Sequence, residues 1–335
     1  MPIPEVLLDK KDKDLLSLLY QNSRMTFTEM GKKLKLSPST VERRLKVLQE
    51  NGVISLMFAD VNLAKLGLKA YRLYFKFDSM DEETEKEVLN LFDSFPRTVW
   101  GVICQGEYDV LWRIIAKDEI EVEEAANLMT ERFGKKIIEK TIATTTYQTY
   151  LSWNSALGGV RHPEFPLEQV VPAEKLDKID MKILSILYGN ARESTVNIAK
   201  EVGLTPDAVG YRIKKLTKEK FILGYTTWYD ARKLGLEYHK ILISFRNITR
   251  EKEKQFLGFC LAHNKVIYLN KTIGSWDIEV DAIVKDVVEL HEFIREMKTK
   301  FGVIIGKNTY ISSIYEKMLN PIKEYSEPLK FFPKK

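Results

Sequence analysis

The hydrophobic positions along the first part of the chain recur with helical spacing. Val41, Leu45 and Leu48 stand at i, i+4 and i+7, so they form one apolar stripe on a helix. Ser37 and a proline precede the stripe. Because serine caps helices and proline suits their first position, the helix is predicted to begin there. Two apolar helical stretches precede it, so residues 8–62 predict three short helices with a trailing strand pair.

Strand and helix patterns alternate from residue 69 to residue 151. Apolar and β-branched runs predict strands over 71–77, 99–104, 110–116 and 137–150, with helices over 82–95 and 121–133. A glycine-containing turn, Gln105-Gly106-Glu107, joins the middle two strands at hairpin length. The order β-α-β-β-α-β is that of the ferredoxin-like split motif.

The entire pattern occurs twice, with an offset of 168 residues and no gap. Leu8-Asp9-Lys10 falls on Leu176-Asp177-Lys178, and Arg24 falls on Arg192. Because one register holds along the chain, we predict a tandem duplication. The predicted fold class is α+β, with two copies of a winged helix-turn-helix followed by a ferredoxin-like βαββαβ domain. The predicted divisions are 8–62, 63–151, a linker at 152–175, 176–230, 231–320 and a tail at 321–335.

The third helix of a winged helix-turn-helix places its N-terminal, outward-facing side chains in the major groove of DNA. Arginine and lysine bind phosphate or guanine, and serine and threonine bind base edges or backbone. The polar residues around each apolar stripe are therefore the candidate contacts. In the first copy these are Ser37, Ser39, Thr40, Arg43, Arg44 and Lys46. In the second copy they are Thr205, Asp207, Tyr211, Arg212, Lys214 and Lys215.

The distribution of charge favours the same partner. The 335 residues carry 52 Lys+Arg and 47 Asp+Glu, a net charge of +5. Residues 8–62 hold ten basic and seven acidic side chains, and residues 176–230 hold nine and seven. The whole positive excess therefore lies on the two helical segments. This favours double-stranded DNA as the partner over the alternative of ordinary solvated helix faces.

Other function classes lack their sequence features. No run of 18 apolar residues is present, so no membrane span is predicted, and no secretory signal opens the chain, so a cytoplasmic location is expected. Two cysteines build neither a disulfide framework nor a cysteine-rich metal site. The four histidines occupy no repeated position, and no phosphate loop or Ser-His-Asp order appears. We therefore predict no catalytic residue, no metal, no cofactor and no enzyme activity.

The residues that recur in both copies resemble the Lrp/AsnC family, the leucine-responsive regulators. The resemblance covers nearly the whole chain apart from the linker and the tail, and it rests on motifs found in a fixed order. In the first copy these are Leu8-Asp9-x-x-Asp12, Arg24, Leu36-Ser37-Pro38, Val41, Arg43-Arg44, Leu48, Gly52-Val53-Ile54, Lys65-Leu66-Gly67 and Gly106-x-Tyr108-Asp109. The second copy repeats the last motif as Gly274-x-Trp276-Asp277.

Family members of this kind dimerise through the ferredoxin-like sheet, and many bind an amino acid or a related small molecule there. The resemblance therefore implies an intramolecular pseudo-dimer, with further homo-oligomers left open, and an amino-acid-like effector. In this interpretation Gly106 and Gly274 clear room for the ligand, while Asp109 and Asp277 accept its amino group. The alternative is that each glycine only closes a hairpin turn that needs a positive φ.

Differences between the copies leave other functions open. The second recognition helix has Gly210-Tyr211 where the first has Glu42-Arg43, so it lacks an arginine able to bind guanine bidentately. The unequal helices imply an asymmetric DNA site, or one head that contributes only phosphate contacts. One alternative is a small-molecule sensor or assembly protein without DNA binding. Another is an enzyme like the siroheme decarboxylases, which resemble these regulators but carry a histidine in the strand pair where this chain has Gly106-Glu107-Tyr108-Asp109.

Overall fold

The computed structural model describes residues 6–151, 153, 157, 165–167 and 172–323. Most of the predicted linker and tail therefore lies outside the described residues. Each copy begins with a helical head. The first head contains α1 (Lys10–Gln21), α2 (Phe27–Leu34), α3 (Pro38–Glu50) and the strand β1 (Ile54–Val61). The second head contains α6 (Lys178–Gly189), α7 (Thr195–Val202), α8 (Pro206–Lys218) and the strand β7 (Ile222–Tyr229).

The prediction of a strand pair within each head is wrong for the described residues. β1 pairs antiparallel with β7, so each strand finds its partner in the other head. β1 and β7 are each one continuous strand of eight residues, so neither turns back on itself to form a pair within its own head. The two heads therefore share one two-stranded sheet.

The second part of each copy is a sheet domain with the predicted ferredoxin-like order. The first sheet domain contains β2 (Lys69–Phe77), α4 (Glu82–Ser94), β3 (Thr98–Gly106), β4 (Val110–Ala116), α5 (Glu119–Phe133) and β5 (Ile137–Tyr150). A short strand, β6 (Phe165–Leu167), follows it. The second sheet domain contains β8 (Glu237–Phe245), α9 (Arg250–Ala262), β9 (Val266–Ile273), β10 (Ile278–Val284), α10 (Val287–Phe301) and β11 (Ile305–Met318). The predicted fold class is confirmed.

The two sheet domains form one closed ring of strands. Its order is β2-β4-β3-β11-β8-β10-β9-β5, and β5 pairs back onto β2. The domains meet where β3 pairs with β11 and where β5 pairs with β9. At the first joint Gln105 stands opposite Ser312, and at the second Ile273 stands opposite Thr144. Because these residues are related by the 168-residue offset, the two joints have the same register.

Helices cover the outside of the ring and leave a second face inside it. In the first domain, Leu73 and Trp112 pack with Phe92 of α4 and Met129 of α5. In the second domain, the outer face packs in the same way on α9 and α10. Since side chains alternate along a strand, the neighbours of the outward residues, such as Arg72, point into the ring.

Two glycines allow close contact at the joints. Gly106 has a φ of 120°, and a Cβ on it would lie 2.4 Å from the carbonyl oxygen of Tyr310 in β11. Gly274 has a φ of 150°, and its Cβ would lie 2.9 Å from the carbonyl oxygen of Ile142 in β5. Each glycine therefore permits a backbone conformation that other residues rarely adopt and the close approach of the other domain's last strand.

Four charged side chains inside the ring form an interior ion cluster: Arg72, Lys240, Glu279 and Asp281, each no more than 3% exposed. Arg72 Nε lies 3.2 Å from Glu279 Oε2 across the two domains, and Lys240 Nζ lies 3.1 Å from the same oxygen. Lys240 also pairs with Asp281 at 2.5 Å, and the Tyr74 hydroxyl donates to Glu279 Oε1 at 2.7 Å. Burial raises the pKa of Glu279, but the two cations together with hydrogen bonds from Tyr74 and Trp276 outweigh burial, and the pKa falls to about 2. Glu279 is a carboxylate shared between the domains.

Candidate nucleic-acid interface

The recognition helices α3 and α8 begin at the caps that the sequence predicts. The hydroxyl of Ser37 accepts a hydrogen bond from the Thr40 amide at 3.1 Å, and that of Thr205 accepts one from the Ala208 amide at 3.2 Å. Proline follows each cap. Val41, on the inner face of α3, is fully buried, and so is its counterpart on α8, Val209. The opposite face of each helix is left at the surface.

Most of the predicted DNA-contacting side chains lie on those outward faces. Besides the caps, the exposed ones are Ser39, Arg43 and Lys46 on α3, and Asp207, Tyr211, Lys214 and Lys215 on α8, whereas Thr40 is half-buried. Tyr211 is 71% exposed, and a Cβ built on Gly210 would meet no atom within 4 Å. The structure brings these side chains to the surface of each head. Their contact with DNA stays a prediction.

Arg44 and Arg212 differ from the other candidates because each already has carboxylate partners. Arg44 Nη1 lies 2.8 Å from Asp9 and 2.6 Å from Asp12, both at the start of α1. Arg212 makes the equivalent pairs with the two aspartates at the start of α6, at 2.6 and 2.8 Å. These contacts hold each recognition helix against the first helix of its head. The contact of Arg44 and Arg212 with DNA stays a prediction.

A reciprocal pair of arginines, for which the sequence predicted no contact, connects the heads. Arg24 Nη1 donates to the carbonyl oxygens of Ala191 and Glu193, the latter at 3.1 Å. Arg192 Nη1 donates to the two equivalent carbonyl oxygens of the first head, at 2.7 and 2.9 Å. The repeat marks both arginines as a shared position. It does not predict that each side chain reaches the other copy.

The candidate effector residues lie at the turns between β3 and β4 and between β9 and β10. Asp109 accepts a hydrogen bond from a backbone amide of β2 at 2.8 Å and pairs with Lys76 at 3.0 Å. Asp277 accepts a bond from the equivalent amide of β8 at 2.7 Å. It is exposed, and Ser244 stands where the first copy has Lys76. Glycine and aspartate therefore share one turn in each copy, and their role in ligand binding stays a prediction.

An acidic side chain lies in an unusual environment where the heads meet the ring. Glu316 of β11 accepts a hydrogen bond from Trp100 Nε1 at 3.2 Å, across the domains. Burial and repulsion by Asp230 outweigh the attraction of Arg232, and they raise the pKa of Glu316 to about 8. The equivalent residue in the first copy is Gln148, a neutral side chain. The surroundings of Glu316 therefore favour its protonated form.

We expect Glu316→Gln to stabilise the protein relative to the parent chain increasingly as the pH rises from 5 to 8. Between the ordinary pKa of 4.5 and about 8, the folded protein keeps a proton that the unfolded chain has lost, so rising pH destabilises the parent through this group. Glutamine removes that proton linkage. Melting temperatures of both proteins across this range measure the effect. A difference that does not change with pH would contradict it.

The described residues hold few other groups that could form a site. No group of three or more His, Cys, Asp and Glu side chains among them is arranged to hold a metal ion. In the same part of the chain, no helix combines the length and apolar character needed to span a bilayer. Cys104 and Cys260 are buried free thiols, and burial raises their pKa above the usual range. Neither has the character of a reactive thiolate.

Both heads match known domain families. A family model described as winged helix-turn-helix DNA-binding matches residues 8–55. A model described as an AsnC-type helix-turn-helix domain matches residues 176–217. The two matches lie on equivalent parts of the two copies.

Two curated relatives match along most of their own length. The HTH-type transcriptional regulator Ptr1 of Methanocaldococcus jannaschii is 36% identical over 121 residues, which are 36% of this chain and 80% of that protein. The transcriptional regulator AzlB of Bacillus subtilis is 32% identical over 143 residues, which are 42% of this chain and 91% of that protein. Less than half of this chain therefore accounts for most of each relative, as a duplication predicts.

Some solved structures match nearly the whole chain. One of them is the crystal structure of the siroheme decarboxylase NirDL, with a TM-score of 0.61 and 13% sequence identity. The match covers 95% of this chain and 97% of that one. At this identity the likeness concerns the fold alone.

Proposed function

The chain belongs to the Lrp/AsnC family of helix-turn-helix proteins, and we propose that it is a transcriptional regulator that binds specific sequences of double-stranded DNA. The observation that carries this proposal is the exposed face of each recognition helix. Arg43 and Lys46 of α3, and Lys214 and Lys215 of α8, lie at the surface of heads that together hold the positive excess of the chain. Such side chains bind phosphates and the edges of guanine.

The two heads act as a pair built into one chain, a pseudo-dimer. Two features support this. The joints between the sheet domains share one register, so the same surfaces meet twice, as in an isologous dimer. The heads share the β1–β7 sheet and exchange the Arg24 and Arg192 contacts. A single chain therefore presents two recognition helices without needing a second subunit.

The test of this function is binding of the purified protein to genomic fragments, including its own promoter region, at several salt concentrations. We expect retention of specific fragments at low salt and a linear fall of log affinity with log salt, because basic side chains release counterions from DNA. Absence of any retention at low salt would contradict the regulator and favour a sensor or assembly protein without DNA binding.

The same chain responds to an amino-acid-like effector at the Gly-Asp turns. An exposed carboxylate with a neutral neighbour is the better acceptor for a ligand ammonium group, and Asp277 fits this description more closely than Asp109, which is paired with Lys76. The second copy therefore binds the effector more strongly than the first.

We expect that, in a panel of amino acids tested one at a time, the effector raises the melting temperature of the parent protein by binding at Asp277. A ligand that binds the folded state stabilises it by mass action. Asp277→Asn keeps an acceptor for the Phe245 amide, so it should reduce the ligand-induced shift without unfolding the protein. Asp109→Asn is the matched control and should reduce the shift less. If no amino acid shifts the melting temperature, the turn interpretation of both glycines stands.

A further inference from the structure

The two heads meet at the turns that precede their second helices. Ser23 N donates to the Tyr225 carbonyl oxygen at 3.0 Å, and Ala191 N donates to the Met57 carbonyl oxygen at 2.8 Å. These pairs are equivalent under the 168-residue offset. The backbone of each head is thus bound directly to the strand of the other head.

Arg24 and Arg192 stand at the centre of this contact. Both side chains are half-buried, and each guanidinium donates to two backbone carbonyl oxygens of the opposite turn. The Arg192 guanidinium also lies 4.6 Å from the centre of the Phe27 ring. A charged donor makes stronger hydrogen bonds than a neutral one, and a planar guanidinium can reach two acceptors at once. Lysine or alanine at these positions would lose that two-point contact.

Contacts between the two heads flank each recognition helix along the chain. Each arginine precedes α2 or α7, which packs against the recognition helix of its own head. The strands β1 and β7 begin just after the recognition helices end, at Ile54 and Ile222, and pair with each other. Each recognition helix is therefore anchored to the other head before it starts and after it ends.

We propose that Arg24 and Arg192 are positioning residues that fix the separation and orientation of α3 and α8, so that the chain discriminates between DNA sites by the spacing of their halves. The part of this inference that concerns DNA sites rests on the proposed function. The part that concerns the fixed geometry of the two heads is independent of it. Two recognition helices at a fixed separation can bind only half-sites that face the same side of the duplex. Because the duplex completes one turn every 10–10.5 base pairs, such half-sites are spaced by whole turns.

The first arm of the test needs no DNA. Spin labels on Gln49→Cys and Thr217→Cys, which are equivalent exposed positions near the ends of α3 and α8, report the distance between the heads, while the two native cysteines are buried. The parent chain should give one narrow distance distribution. The double variant Arg24→Ala/Arg192→Ala should give a broad one, and Arg24→Lys/Arg192→Lys an intermediate one. A distribution that stays narrow in the alanine variant overturns the proposal.

The second arm uses a site obtained by selection from randomised DNA. Inserting about five base pairs, half a helical turn, between its halves should weaken binding of the parent chain by about tenfold or more. The alanine double variant should bind the original site more weakly and lose less than about threefold on insertion. Arg295→Ala, which replaces an exposed arginine of α10, is the matched control and should behave like the parent.

Equal spacing dependence in the parent and the double variant overturns the proposal. Failure of every chain to bind DNA, with a broadened distance distribution, would overturn the proposed function and leave the positioning role intact.

Discussion

Glu279→Leu should lower the free energy of unfolding by about 3–5 kcal/mol, the effect of removing one partner from a buried ion pair. The substitution places in the second sheet domain the residue that the first domain has at the equivalent position, Leu111. It leaves the Arg72 guanidinium buried without its carboxylate, and the Tyr74 hydroxyl loses its acceptor. Denaturant unfolding followed by tryptophan fluorescence measures the loss, since Trp276 also donates to Glu279.

A second variant distinguishes the ion cluster from general damage to the core. Leu111→Glu combined with Glu279→Leu moves the carboxylate to the other domain, where the offset places it between the same two cations, Arg72 and Lys240. We expect this double variant to regain about half of the lost stability, because the tyrosine donor has no equivalent beside residue 111. Glu279→Gln is the control that keeps the shape and removes the charge. If the double variant regains no stability, a carboxylate at position 111 does not replace the one at position 279.

Arg43→Ala should relax the sequence preference of one half of the DNA site by about 1–3 kcal/mol of base discrimination, the contribution of a bidentate contact with guanine. Arg43 is exposed near the start of α3 and can pair with guanine in this way. Its counterpart Tyr211, next to the open Gly210, has no guanidinium. Tyr211→Ala should therefore lower affinity with little change in preference.

Selection of bound sequences from randomised DNA by the parent, Arg43→Ala and Tyr211→Ala compares the two helices directly. Lys46→Ala serves as the reference for a basic residue on the same face, and it should weaken all sequences alike and reduce the salt dependence by about one unit. Equal loss of preference from Arg43→Ala and Tyr211→Ala would refute the asymmetry of the site.

Features decided by neighbouring residues could be predicted from the sequence. Ser37 and Thr205 cap their helices as expected, because a hydroxyl three residues before a free amide needs no distant partner. The order of strands and helices in each sheet domain also follows from local periodicity. The duplication itself is visible because one offset relates all of the recurring residues.

Features that depend on contacts between the copies could not be predicted. A strand pattern at 54–61 does not say whether its partner lies in the same head or the other one, so the local strand pair was the wrong expectation. Arg72 and Glu279 are 207 positions apart, and the first copy has Leu111 where the second has Glu279, so no repeat marks the two as partners. The carboxylate partners of Arg44 were equally hidden, because a basic residue on a helix face looks the same whether it contacts DNA or a neighbouring helix.

The joint between β3 and β11 also sets an order of events during synthesis. It pairs residues roughly 200 positions apart, such as Gly106 with Ile311, and β11 is the last of the described strands to be made. While the ribosome works through the second copy, the edge of β3 has no partner, and an unpaired edge is a template for strands of other chains. A nascent chain that stalls before residue 305 would carry this open edge. We therefore expect such truncated products to aggregate, while completion of β11 removes the hazard by closing the ring.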